Sequence, residues 1–129
     1  MERKGILIID DERSFTELVR MNLEMSGKFQ VAVANDGRDG IAMAKDLKPD
    51  VILLDVMMPK MDGFEVLNAL KKNPKTLSIP VIMLSAKSDD ASKIAASSLY
   101  SQYYVTKPID ADELVAKIEW VLNLSGKKK

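Results

Sequence analysis

Five short apolar runs, separated by segments with helical spacing, constrain this chain more than any other feature. They are Ile6-Leu7-Ile8-Ile9, Val31-Ala32-Val33-Ala34, Val51-Ile52-Leu53-Leu54, Val81-Ile82-Met83-Leu84 and Tyr103-Tyr104-Val105. The first, third and fourth are continuous. A strand with one face in water alternates apolar and polar residues, so continuous runs describe strands covered on both faces. The segments between them supply the cover. Phe15, Leu18, Val19, Asn22 and Leu23 form one stripe, Ile41, Ala44 and Leu47 a second, and Phe64, Val66, Leu67 and Leu70 a third. A weaker fourth helix, with Ile94 its one large apolar residue, is expected between Ser88 and Ser98, and Leu114, Val115, Ile118, Val121 and Leu122 make the last stripe. Asp36 is placed to cap the second helix, Asp110 and Glu113 form a capping-box pattern for the last, and Pro49 and Pro74 close the second and third. The order βαβαβαβαβα predicts one α/β domain, a five-stranded parallel sheet doubly wound by helices.

Composition removes several chemistries. The 129 residues contain no Cys and no His. That excludes disulfides, a thiol nucleophile, an imidazole base and a Ser-His-Asp triad, and leaves zinc without its usual ligands. Lys+Arg and Asp+Glu are both 19, so the basic field of a nucleic-acid binder is missing and no direct nucleic-acid contact is expected. The four apolar residues before Asp10 are too short for a signal-peptide core, and no segment approaches a membrane span, so the chain reads as cytoplasmic. Residues 1–124 are expected to form the domain and 125–129 a basic tail, which is either solvated or the beginning of a linker.

In parallel sheets ligands bind beyond the carboxyl ends of the strands, near a topological switch point. Here those ends carry Asp10-Asp11, Asp55, Ser85-Ala86 and Thr106-Lys107-Pro108. Every strand end but the second delivers a polar group. A single Asp after a strand is an ordinary turn residue. Several converging carboxylates are expensive to bury without a compensating cation, and oxygen-only donors suit a hard ion such as Mg²⁺.

Ile8-Ile9-Asp10-Asp11-Glu12, Leu53-Leu54-Asp55-Val56-Met57-Met58-Pro59, Met61-Asp62-Gly63, Met83-Leu84-Ser85-Ala86 and Tyr104-Val105-Thr106-Lys107-Pro108 stand in the order and on the strand ends seen in one known family. From about Gly5 to about Leu124 the chain resembles the receiver domains of two-component response regulators, of the single-domain chemotaxis-regulator-like type. The resemblance implies a flavodoxin-like receiver fold. It also implies that Asp55 accepts a phosphoryl group from a histidine kinase or histidine phosphotransfer protein. Asp10, Asp11, Asp55 and the backbone carbonyl of Met57 would hold Mg²⁺, and Ser85 and Lys107 would meet the phosphoryl oxygens. The Lys107–Pro108 bond would be cis. Ser85 and Tyr104 would act as the switch to a downstream protein target that the sequence does not identify. Such a chain is a phosphoacceptor that assists its own phosphorylation and dephosphorylation, with no output domain within it, rather than an enzyme acting on a separate substrate.

Aspartate attacks an anionic phosphate poorly unless a divalent cation cancels the repulsion. No general base is required, because the carboxylate is already ionised, so the missing histidine does no harm. A haloacid-dehalogenase-type phosphatase would need an Asp-x-Asp pattern after the first strand, which Asp10-Asp11-Glu12 does not provide. A nucleotide binder would need a phosphate-cradling loop there, and that loop is acidic. Tyr100-Ser101 stands where the family commonly has Gly-Ala, which alters the exit from the fourth helix. Asp62-Gly63 reads first as a turn before a helix, with a looser loop beside the metal as the alternative for Gly63; Met57 and Met58 are expected to limit water at the site, and Trp120 to pack on the tail or meet a partner.

Overall fold

The computed structural model describes residues 2–86 and 103–127. In chain order the elements are β1 (Lys4–Ile9), α1 (Arg13–Met25), β2 (Phe29–Ala34), α2 (Gly37–Leu47), β3 (Val51–Asp55), α3 (Gly63–Lys72), β4 (Val81–Ala86), β5 (Tyr103–Lys107) and α4 (Ala111–Lys127). The helix expected between Ser88 and Ser98 and the Tyr100-Ser101 departure lie outside the described residues. The last helix runs to Lys127, past the boundary drawn at 124.

All five strands are parallel, in the order β2-β1-β3-β4-β5. The chain leaves β1 for β2 on one side and then crosses to β3 on the other. The switch point therefore falls between β1 and β3, whose carboxyl ends carry Asp10 and Asp55. Side-chain alternation splits the core into two layers. Leu7, Ile9, Ile52, Leu54 and Met83 pack with α2 and α3. Ile6, Ile8, Val51, Leu53, Ile82 and Leu84 pack with α1 and α4. The runs Ile6–Ile9, Val51–Leu54 and Val81–Leu84 of β1, β3 and β4 are buried, as continuous apolar runs require.

The stripes hold with two corrections, one of them Leu47, which sits in the last turn of α2 and is 55% exposed. Val19 and Leu23 of α1 are buried, while Leu18 is 60% exposed and Asn22 is also exposed. Both line a groove of about 470 Å³ between α1 and the start of α4 instead of entering the core. Asp36 caps α2 by accepting the Asp39 N–H at 2.8 Å. Asp62 and Glu65 make a reciprocal capping box at the start of α3. Among the described residues no helix is long and apolar enough to cross a membrane.

Candidate functional site

Period-two alternation aims three charged residues at one place. Asp10 continues the Ile6–Ile8 face of β1, Asp55 continues Val51–Leu53 in β3, and Lys107 continues Tyr103–Val105 in β5, all on the α1/α4 side. The carboxylates of Asp10, Asp11 and Asp55 offer ligand oxygens that all lie within 4.8 Å of one another. Asp10 is fully buried and Asp55 nearly so, while Asp11 is exposed. Lys107 Nζ donates to Asp10 Oδ2 at 3.0 Å and to Asp55 Oδ1 at 3.3 Å. The same ammonium lies 4.4 Å from the centroid of the Phe15 ring, a cation–π contact at the first turn of α1. The Lys107–Pro108 peptide bond is cis.

Burial pushes the Asp55 carboxyl up to about 6, and the neighbouring Asp10 charge adds to it. The charge and hydrogen bond of Lys107 oppose them. Burial alone would lower Lys107, but its hydrogen bond and attraction to Asp10, and then to Asp55, outweigh that and hold the ammonium above the usual lysine value. Three carboxylates thus face, among the described residues, one paired ammonium. The residual negative charge and the all-oxygen donor set fit a hard divalent cation.

The remaining sequence candidates take different places. Ser85 is buried at the end of β4, in register with Thr106. Tyr104 is half-buried against the α2/α3 layer, whereas Tyr103 belongs to the α1/α4 layer. Of the two methionines expected to border the site, Met57 is 61% exposed and Met58 is buried in the α2/α3 layer. Met58 belongs to the same buried cluster as Val66, Leu67 and Leu70 of α3. Gly63 is tight rather than loose. Its N–H donates to the Val56 carbonyl at 2.8 Å, and a Cβ there would collide with the Asp55 carbonyl oxygen. Trp120 is half-exposed, with its ring edge-on to Tyr103 at 5.7 Å and Lys117 Nζ 5.0 Å from its centroid. Its described ring contact is therefore with β5.

Three contributions escape sequence reasoning. Phe15, placed in a core stripe, supports Lys107. Asp62, read as a turn residue, caps α3 and fixes the loop after Asp55. The second strand end also delivers a polar group, Asn35, whose side chain donates to the Asp10 carbonyl at 2.9 Å. An amide residue directly before the Asp36 cap was the one available signal.

A family model of the response regulator receiver domain matches residues 6–119. The chain belongs to that family. A receiver domain is a signalling phosphoacceptor, and its role lies in two-component signal transduction. The chain is 44% identical over 117 residues to the DNA-binding dual master transcriptional regulator RpaA of Synechocystis, covering 91% of this chain and 48% of that protein. It is 40% identical over 126 residues to the phosphate regulon transcriptional regulatory protein PhoB of Pseudomonas aeruginosa, covering 98% of this chain and 55% of that protein. The receiver thus spans about half the length of these curated relatives. Among solved structures it resembles the chemotaxis protein CheY4 of Vibrio cholerae, with a TM-score of 0.84 and 28% identity over 93% of this chain and 99% of that one.

Proposed function

We propose that Asp55 receives a phosphoryl group from a histidine kinase or histidine phosphotransfer protein, and that Asp10, Asp11, Asp55 and the Met57 backbone carbonyl hold the Mg²⁺ this transfer requires. The observation that carries the reading is the convergence of three carboxylates within 4.8 Å, with Lys107 bridging the two buried ones. Bound there, Mg²⁺ cancels the repulsion between the Asp55 carboxylate and an anionic phosphoryl group.

The chain's own residues do the rest. An oxygen of the Asp55 carboxylate forms a bond to phosphorus as the bond from phosphorus to the donor nitrogen breaks, and the donor imidazole keeps that electron pair. Lys107 is already held beside Asp55, so its ammonium meets the charge on the equatorial oxygens with little reorganisation. The Ser85 hydroxyl supplies a second donor to the same oxygens. Gly63 and the Asp62–Glu65 box keep the backbone behind Asp55 from shifting during attack. Hydrolysis later returns the carboxylate, so the chain is a switched phosphoacceptor rather than an enzyme acting on a separate substrate.

The phosphoryl oxygens then draw Ser85 inward, Tyr104 follows, and the surface around β5 and α4 changes for a downstream protein target. Balanced charge argues against direct nucleic-acid contact by this chain, and with the histidine-phosphate donor it fits a cytoplasmic place. Incubation with Mg²⁺ and acetyl phosphate should add one phosphoryl group by intact mass, and Asp55→Asn should abolish it. Full labelling of that variant would overturn the assignment, and sustained turnover of aryl phosphates would favour a phosphatase instead.

A further inference from the structure

We infer that Asn35 is a positioning residue for the proposed Mg²⁺ site: its side-chain amide sets the Asp10–Asp11 peptide plane and thereby aims the Asp11 carboxylate at the site that Asp10 and Asp55 form. This rests on the reading of the acidic cluster as a Mg²⁺ site.

Asp10 lies one residue beyond β1, where the chain must leave the sheet. Its N–H is still held by the Ala34 carbonyl at 3.1 Å. Its own carbonyl accepts from Asn35 Nδ2 at 2.9 Å. Asn35 Nδ2 also lies 3.5 Å from Thr16 Oγ1, whose hydrogen is donated to the Arg13 carbonyl at 3.0 Å. Both neighbours of the amide are acceptors, so the group facing them is the nitrogen.

The peptide unit that contains the Asp10 carbonyl also contains the Asp11 N–H. Fixing that plane fixes the direction in which Asp11 leaves. The Asp10 carboxylate has its own restraints, the Glu12 N–H on Oδ1 at 3.0 Å and Lys107 on Oδ2. Asp11 is exposed, and its aim depends on the backbone before it. Asn35 can supply that restraint because it is itself held. Ala34 pairs with Ile9 on one side, and Asp36 is committed to capping α2 on the other. Residues that orient metal ligands through hydrogen bonds change affinity without touching the ion.

The test uses Asn35→Leu, nearly isosteric but unable to donate, and Asn35→Ala, which removes the amide without adding bulk. Mg²⁺ affinity is measured by calorimetric titration, and metal-free stability by melting in EDTA. Both variants should bind Mg²⁺ about tenfold more weakly than wild type, with the metal-free melting temperature changed far less. Affinity within about twofold of wild type in both variants would overturn the inference, as would a loss confined to Asn35→Leu, which would mark a steric effect. If melting falls while affinity holds, Asn35 is a structural residue only. Wild-type protein that takes up no Mg²⁺ would instead sink the metal reading itself, a separate outcome.

Discussion

Removing the charge of Asp55 should stabilise the metal-free protein, and by an amount that grows with pH. The Asp55 carboxyl titrates near 6 in the folded chain against an ordinary 3.8, because burial and the Asp10 charge outweigh the help of Lys107. A folded-state value above the unfolded one means that this group's contribution is fully present below about pH 4 and is lost as pH rises through about 6. Asn stands in for the neutral carboxyl. Integrating the two titrations, Asp55→Asn should gain about 0.6 kcal/mol at pH 4, about 1.6 kcal/mol at pH 5 and about 3 kcal/mol at pH 8. For a chain of this length that corresponds to roughly 2 °C at pH 4 and roughly 10 °C at pH 8. Thermal melts of wild type and variant in EDTA across that range would read it. Saturating Mg²⁺ should then narrow the gap at pH 8, because the ion stabilises the wild type more than a variant lacking one ligand. An equal gain at pH 4 and pH 8, or a larger one at pH 4, would refute the claim that Asp55 is held in an unfavourable charged state.

Three further outcomes are expected. Asp11→Ala should keep or raise the melting temperature in EDTA, because it removes one of three crowded carboxylates, and should lose the rise that Mg²⁺ gives the wild type; an unchanged Mg²⁺ response would contradict the site. Gly63→Ala should cost about 1–3 kcal/mol in urea denaturation, since the new methyl must displace the Asp55 carbonyl; a neutral result would mean that the loop after β3 is more yielding than its contacts indicate. Beryllium fluoride with Mg²⁺, which mimics the phosphoryl group, should change hydrogen exchange in residues 85–106 and the emission of Trp120, because Trp120 rests edge-on against Tyr103 of β5. No change in 85–106 would count against the switch.

The parallel sheet was legible because burial on both faces leaves a mark that no amphipathic pattern imitates. Ile6–Ile9, Val51–Leu54 and Val81–Leu84 each read as uninterrupted apolar segments and each became a buried strand. The acid cluster was legible for a related reason. With strands placed, period two alone assigns Asp10, Asp55 and Lys107 to one face at one edge. Leu18, Asn22 and Leu47 were misplaced because helical spacing defines a stripe but not how much of it the neighbouring elements cover. Between α1 and the start of α4 the cover is incomplete, and a groove remains. The tightness at Gly63 was not legible, because a sequence displays a glycine's freedom and hides the backbone pressed against it. Asn35 acts across 25 positions, through a register between β1 and β2 that no local pattern specifies.

Lys107 connects these observations. In the resting protein its ammonium is shared between Asp10 and Asp55 and lies over the Phe15 ring. That arrangement offsets part of the repulsion among the carboxylates, yet Asp55 still titrates near 6, so one ammonium is not enough. On the proposed reading, Asp10 and Asp55 would hold Mg²⁺, whose charge would neutralise them and leave Lys107 free to follow the incoming phosphoryl oxygens. The ring of Phe15 keeps the released ammonium near the site rather than in solvent. On that reading the residues that crowd charge in the metal-free state are the ones that would hold Mg²⁺ and a phosphoryl group, so that stability lost in the resting protein would reappear as affinity.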